Sequence, residues 1–174
     1  RFLVDNAFRM RVSQQTICTI HYLLSDGLVE PRYAGKIRDY GVRIGGSTYI
    51  PYEDKTLLQK HFERIIEKAA LIKNPFEQSF FLLTHISYLQ AFIDVNKRTA
   101  RLTANIPLIK SNLVPLSFID MDKEEYTSAI MAIYEYQKLQ PLLDLYLSSY
   151  KRTCNLLSLP GTPVTGTECT DRKS

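Results

Sequence analysis

The sequence predicts a mainly α-helical bundle of about six helices carrying one β-hairpin. Three observations predict it. Apolar residues recur at helical spacing from Val12 onward, and the chain after Pro51 reads as helix up to its tail. A single Gly45-Gly46 pair, flanked by short alternating runs, is the only convincing strand pair. The chain has 174 residues, 45% of them hydrophobic, which is enough to build one core without disulfide or metal staples.

The elements follow in order. Val12 to Leu28 places Val12, Ile17, Ile20, Leu23 and Leu24 at helical positions and stops at Asp26-Gly27. Residues 30–41, with Pro31, Gly35 and Gly41 among polar residues, read as an extended connector. Val42 to Ile50 is the hairpin, because glycine supplies the positive φ of a tight turn. Leu57 to Leu71 sets Leu58, Phe62, Ile65, Ile66 and Ala69 against Lys60, Glu63 and Glu67. Asn74-Pro75 opens the next helix, with proline as a good first residue. That helix runs to about Leu89 and is apolar on most faces, as a central buried helix should be. Lys97 to about Ile109 follows, kinked or shortened by Pro107. Asp122 to Tyr136 and Pro141 to Leu157 are the last two. Residues 1–158 are expected to form one domain, and 159–174 an irregular tail.

Composition excludes several classes. Lysine and arginine number 22 against 18 acids, a net charge of +4. That permits an anionic ligand but falls short of a nucleic-acid binder. No apolar stretch is long enough to span a bilayer, and no signal peptide is visible. Cys18, Cys154 and Cys169 are odd in number and far apart, and they read as reduced thiols of a cytoplasmic protein. The chain starts at Arg1 rather than methionine and is expected to be a fragment.

The chemistry is concentrated in Gln90-Ala91-Phe92-Ile93-Asp94-Val95-Asn96-Lys97-Arg98-Thr99-Ala100-Arg101, where the central helix stops and the next begins. A loop feeding a helix start aims free N–H groups and the positive dipole end at its surroundings. Lys97, Arg98 and Arg101 add charge of the same sign. Arg98 and Arg101, three apart, share a helical face and can grip one ligand. Asp94 fits beside them if Mg²⁺ bridges its carboxylate to phosphate oxygens. On spacing alone, an aspartate cap before a solvated basic turn is the simpler account.

The run resembles the signature of the Fic (Fido) family, His-Pro-Phe-x-Asp/Glu-Gly-Asn-Gly/Lys-Arg-x-x-Arg. Phe92, Asp94, Asn96, Lys97, Arg98 and Arg101 match in register. Gly35-Lys36-Ile37-Arg38 and the hairpin resemble the family's flap, and Glu125 to Ala129 with Leu142-Leu143 resemble its closing helices. The resemblance implies a Fic-type bundle that transfers AMP from ATP-Mg²⁺ to a Ser, Thr or Tyr hydroxyl of a protein. It assigns Asp94 to Mg²⁺, Asn96 to phosphate positioning, and Arg98 and Arg101 to the outer phosphates. The backbone around Lys97 becomes the anion hole. Ile44, Gly45, Gly46, Ser47 and Tyr49 become the flap that holds a target strand, with Tyr52 beside them.

Three positions depart from the pattern: Gln90 for histidine, Ala91 for proline and Val95 for the first glycine. A glutamine amide accepts no proton near neutral pH, so the general base is missing. Two function classes stand open. One is an adenylyltransferase with impaired or altered catalysis; the other is a nucleotide-binding pseudoenzyme or regulatory interaction module. Residues 96–100 also resemble the death-on-curing toxin branch, which transfers phosphate, although that branch usually lacks the second arginine. His85 lies about 140° around the helix from Gln90 and is expected to be satisfied by its neighbours. His21 and His61 are expected to serve surface or packing roles.

Overall fold

The computed structural model describes residues 10–118 and 121–157. The proposed tail, Cys169 and the first nine residues lie outside them. Six α-helices appear in order: α1 Gln14–Leu24, α2 Lys55–Leu71, α3 Pro75–Leu89, α4 Asn96–Lys110, α5 Lys123–Tyr136 and α6 Gln140–Leu157. α3 and α4 form the central pair. α2 packs on α3, α1 on α4 and α2, and α5 joins α6 to α3.

Sequence chemistry explains the boundaries. The Ser13 hydroxyl accepts from Thr16 N–H at 3.1 Å and starts α1. Ser25 stops it, its N–H and hydroxyl both bonding the His21 carbonyl. The helix therefore ends at Leu24, short of the expected Leu28. Asp54, Asn74 and Asp122 cap α2, α3 and α5 through their side chains, as short polar residues do. α4 runs through Pro107 to Lys110, so the proline does not shorten it.

The core sits around α3. Leu82, Leu83, Ile86 and Leu89 are buried, facing Ala100, Ala104 and Leu108 of α4. Burying each leucine or isoleucine contributes roughly 1.5–3 kcal/mol. The small residues Thr99, Ala100, Thr103 and Ala104 leave α4 a thin face for α3 to approach. No helix among the described residues is long and apolar enough to cross a membrane.

Residues 42–50 correct one expectation. A tight turn forms, with Gly46 at φ +78° and Ser47 N–H donating to the Ile44 carbonyl at 3.1 Å. No strand ladder follows; among the described residues no other backbone bond joins the two arms. Side chains of α5 and α3 hold the segment instead. The in-out alternation survives, with Ile44, Ser47 and Tyr49 partly buried and Arg43, Thr48 and Ile50 exposed.

Candidate functional site

The site begins where α3 ends. Gln90 takes the left-handed conformation (φ 51°) and turns its amide back into the fold. Its Nε2 donates to the Ser87 carbonyl at 2.7 Å and to the Tyr134 hydroxyl at 2.8 Å. Tyr134 donates in turn to the same Ser87 carbonyl at 2.9 Å. Burial pushes the Tyr134 hydroxyl well above its ordinary pKa, so it stays a donor. The residue at the base position thus caps a helix end.

The next six residues form a loop closed by Asn96. Its Oδ1 accepts from Phe92 N–H at 2.9 Å and its Nδ2 donates to the Phe92 carbonyl at 2.8 Å. Asn96 was expected to position phosphates. Both polar atoms of its side chain instead face loop backbone, so the side chain acts on a ligand through loop shape. Phe92 is fully buried, stacked on His21 with centroids 4.0 Å apart.

Two residues beneath the loop escaped the motif reading. His21, buried, accepts Gly35 N–H at Nδ1 (2.9 Å). Its Nε2 then carries the proton donated to the Asp94 carbonyl at 3.1 Å. Burial lowers its pKa despite the Asp94 contact, keeping it neutral. A signal existed: Ile17, Ile20, His21 and Leu24 share one apolar helical stripe. Arg38, 1% exposed, donates from Nε to the Gln90 carbonyl (2.8 Å) and from its two terminal nitrogens to the carbonyls of Tyr40 and Tyr52 (2.6 Å each). Its own N–H donates to the Ala91 carbonyl at 3.0 Å. One guanidinium thereby ties both roots of the turn segment to the loop. No sequence pattern announces such a role.

Val95 then starts α4 at φ 63°, a conformation that suits glycine and strains a β-branched residue. It offers no side-chain cap. Asp94 is not the cap either: its Oδ1 accepts from Val95 N–H at 2.6 Å, one residue too early. The first backbone bond of the helix runs from Thr99 N–H to the Val95 carbonyl. The N–H groups of Asn96, Lys97 and Arg98 find no acceptor among the described residues. Lys97 is partly exposed, Arg98 and Asp94 exposed, and none of the three basic side chains pairs with an acid there. Arg101 lies one turn further along, its guanidinium over the rings of Phe118 (5.4 Å) and Tyr126 (5.2 Å).

The turn segment is pinned nearby. Glu135 accepts the Ser47 hydroxyl, the Thr48 N–H (2.7 Å) and the Thr48 hydroxyl. These donors pull its carboxyl down to about 2. Tyr49 stacks on Tyr88 and Tyr134, centroids 4.5 and 5.4 Å away, and donates to the Tyr88 carbonyl at 3.2 Å. Ile44, Ser47 and Tyr49, expected to meet a target, face the fold; Gly45 and Gly46 remain exposed. His85 bonds the Phe81 carbonyl at 2.9 Å and stacks on Phe81, satisfied within its own helix. No cluster of three His, Cys, Asp or Glu residues among the described residues could hold a metal by itself.

An uncapped helix start bearing cations with no acidic partner among the described residues, set on a buried clamp inside a helical bundle, defines a class: an α-helical domain with an open, positively charged loop. The family follows from comparison. The Fic/DOC family model matches residues 11–108, more than half of the chain, and the chain belongs to that family. The fold is also that of solved Fic domains. BepC, a VirB-translocated effector protein from Bartonella tribocorum solved with AMPPNP bound, superposes with a TM-score of 0.66 at 14% identity, over 84% of this chain and 80% of that one. The N-terminal Fic domain of a Bep effector protein from Bartonella quintana, with bound ADP, gives 0.66 at 16% identity, over 80% and 73%. Fic-1 from C. elegans gives 0.68 at 19% identity, over 83% of this chain but only 44% of that protein's fragment. No curated protein sequence matches.

Proposed function

We propose that this chain binds a nucleoside triphosphate at the start of α4 and is, by descent, a protein adenylyltransferase domain whose transfer step is impaired. One observation carries the reading: three unsatisfied N–H groups and the unpaired cations Lys97 and Arg98 share one helix start. Phosphate oxygens supply the acceptors and the negative charge that this start lacks. Arg98 and Arg101 would take the outer phosphates. Solved Fic domains with AMPPNP and ADP support a nucleotide as the ligand.

Mg²⁺ fits the residues present. Asp94 is exposed and spends only one carboxylate oxygen on Val95 N–H, leaving the other as a ligand. Mg²⁺ commonly binds one or two carboxylates plus phosphates, so a lone aspartate is enough. When bound, it would neutralise phosphate charge.

In a transfer reaction, a target hydroxyl would attack the α-phosphate, pyrophosphate would leave, and a base would take the hydroxyl proton. Gln90 cannot accept it, and its amide is already engaged with Ser87 and Tyr134. Losing a positioned base costs about 10²–10⁴-fold. That engagement also favours the second reading, a nucleotide-binding pseudoenzyme or interaction module. Labelled ATP with cell lysate separates the two. The wild type should label protein weakly or not at all, and Gln90→His should gain about 10²-fold. A gain that persists in Gln90→His with Asp94→Ala would mean the label does not come from this site. A wild type as active as Gln90→His would overturn the claim that the base is missing.

A further inference from the structure

Arg101 carries no acidic partner among the described residues, yet it does not reach into solvent as Arg98 does. It lies over two rings from elements outside the motif: Phe118, in the segment after α4, and Tyr126 of α5. Those rings meet edge to face at 6.2 Å, making a corner. Tyr126 is 6% exposed, and its hydroxyl lies beside Ser87 Oγ without closing a hydrogen bond to it. The ring, then, is what Tyr126 contributes here. A guanidinium over an aromatic face within about 6 Å is attracted and oriented by the ring quadrupole. A helical side chain also leans towards the N-terminus, here towards the unsatisfied N–H groups of residues 96–98.

We infer that Phe118 and Tyr126 form an aromatic corner that holds Arg101 ready for the outer phosphates of a nucleotide, and so set the preference for triphosphate over monophosphate. The inference rests on the nucleotide reading above and adds two positioning residues to it. A free arginine on an exposed turn would lose side-chain entropy on gripping a phosphate; one already laid on two rings loses less. No hydrogen bond among the described residues engages the Arg101 guanidinium N–H groups, so they stay available to a phosphate.

The test is calorimetric titration of the whole chain with AMP and with a non-hydrolysable ATP analogue, both with Mg²⁺. Phe118→Leu and Tyr126→Leu should each weaken the triphosphate about 3- to 10-fold while leaving AMP within about twofold. Tyr126→Phe, which keeps the ring, should behave as wild type. In an Arg101→Ala background the same leucine substitutions should add nothing, since their effect passes through Arg101. Phe118 is only partly buried, so its variant reports even if Tyr126→Leu fails to fold. Unchanged triphosphate-to-monophosphate ratios in the leucine variants would overturn the inference, as would equal losses on both ligands. Failure of the wild type to bind either ligand would overturn the nucleotide reading itself, and the corner's role with it.

Discussion

Two helix starts in this chain solve the same problem in opposite ways. At α3, Asn74 Oδ1 accepts the N–H groups of Phe76 (2.9 Å) and Glu77 (3.3 Å), Pro75 has no N–H to satisfy, and Glu77 suits the positive dipole end. At α4, a left-handed valine offers no cap, three N–H groups are left over, and the first turn carries Lys97 and Arg98 against the dipole. Among the described residues the second start has no helical amide capped by a side chain, Asp94 reaching only the Val95 N–H. It is held from beneath, by Arg38 on the Gln90 and Ala91 backbone, by Asn96 on Phe92 and by His21 on Asp94. The chain has placed stability at the first start and left polar groups open at the second.

The largest expected effect is at that support. Arg38→Met would orphan the carbonyls of Gln90, Tyr40 and Tyr52 and should destabilise the fold by about 3 kcal/mol or more in urea unfolding. A loss under about 1 kcal/mol would mean that the loop does not depend on its clamp.

The two starts themselves should show a crossover. Asn74→Ala should cost about 1 kcal/mol of stability and leave nucleotide affinity untouched. Arg98→Ala should leave stability unchanged or raise it by about 0.3–1 kcal/mol, because it removes a cation from the positive dipole end, while weakening nucleotide binding. Equal behaviour of the two variants in both measurements would erase the distinction.

The smallest effect is in pH. Burial lowers the pKa of His21 below its unfolded value of about 6.5, so the unfolded chain binds more protons as the solution is acidified. Stability should be full above that pKa and fall as pH drops from 7 towards 5. His85, lowered in the same sense by burial, adds to the slope. His21→Asn should flatten part of it in thermal melts. An unchanged slope would remove the buried neutral His21 from beneath the loop.

Periodicity and caps made the bundle legible. The apolar stripes of α2 and α3, and Asn74-Pro75 at the start of α3, follow from the residues alone. The motif run was legible too, down to the cations at the α4 start. Its support was not. Arg38 acts through carbonyls of residues 2, 14 and 52 positions away, and backbone acceptors leave no trace in side-chain identity. The turn segment failed as a hairpin for a related reason. Glu135, nearly ninety residues downstream, takes the Thr48 N–H that a strand partner could have engaged, together with the Ser47 and Thr48 hydroxyls. Asn96 matched the motif, but its amide is committed to the loop rather than presented to a ligand.

The central claim is that the open start of α4 is an anion site and the closed start of α3 is not. Amide chemical shifts followed by NMR during a Mg²⁺-ATP titration test it most directly. The account predicts saturable shifts at the backbone N–H groups of Asn96, Lys97 and Arg98, with Phe76 and Glu77 unmoved. Absence of binding at millimolar nucleotide, or shifts that leave residues 96–98 untouched, would contradict it.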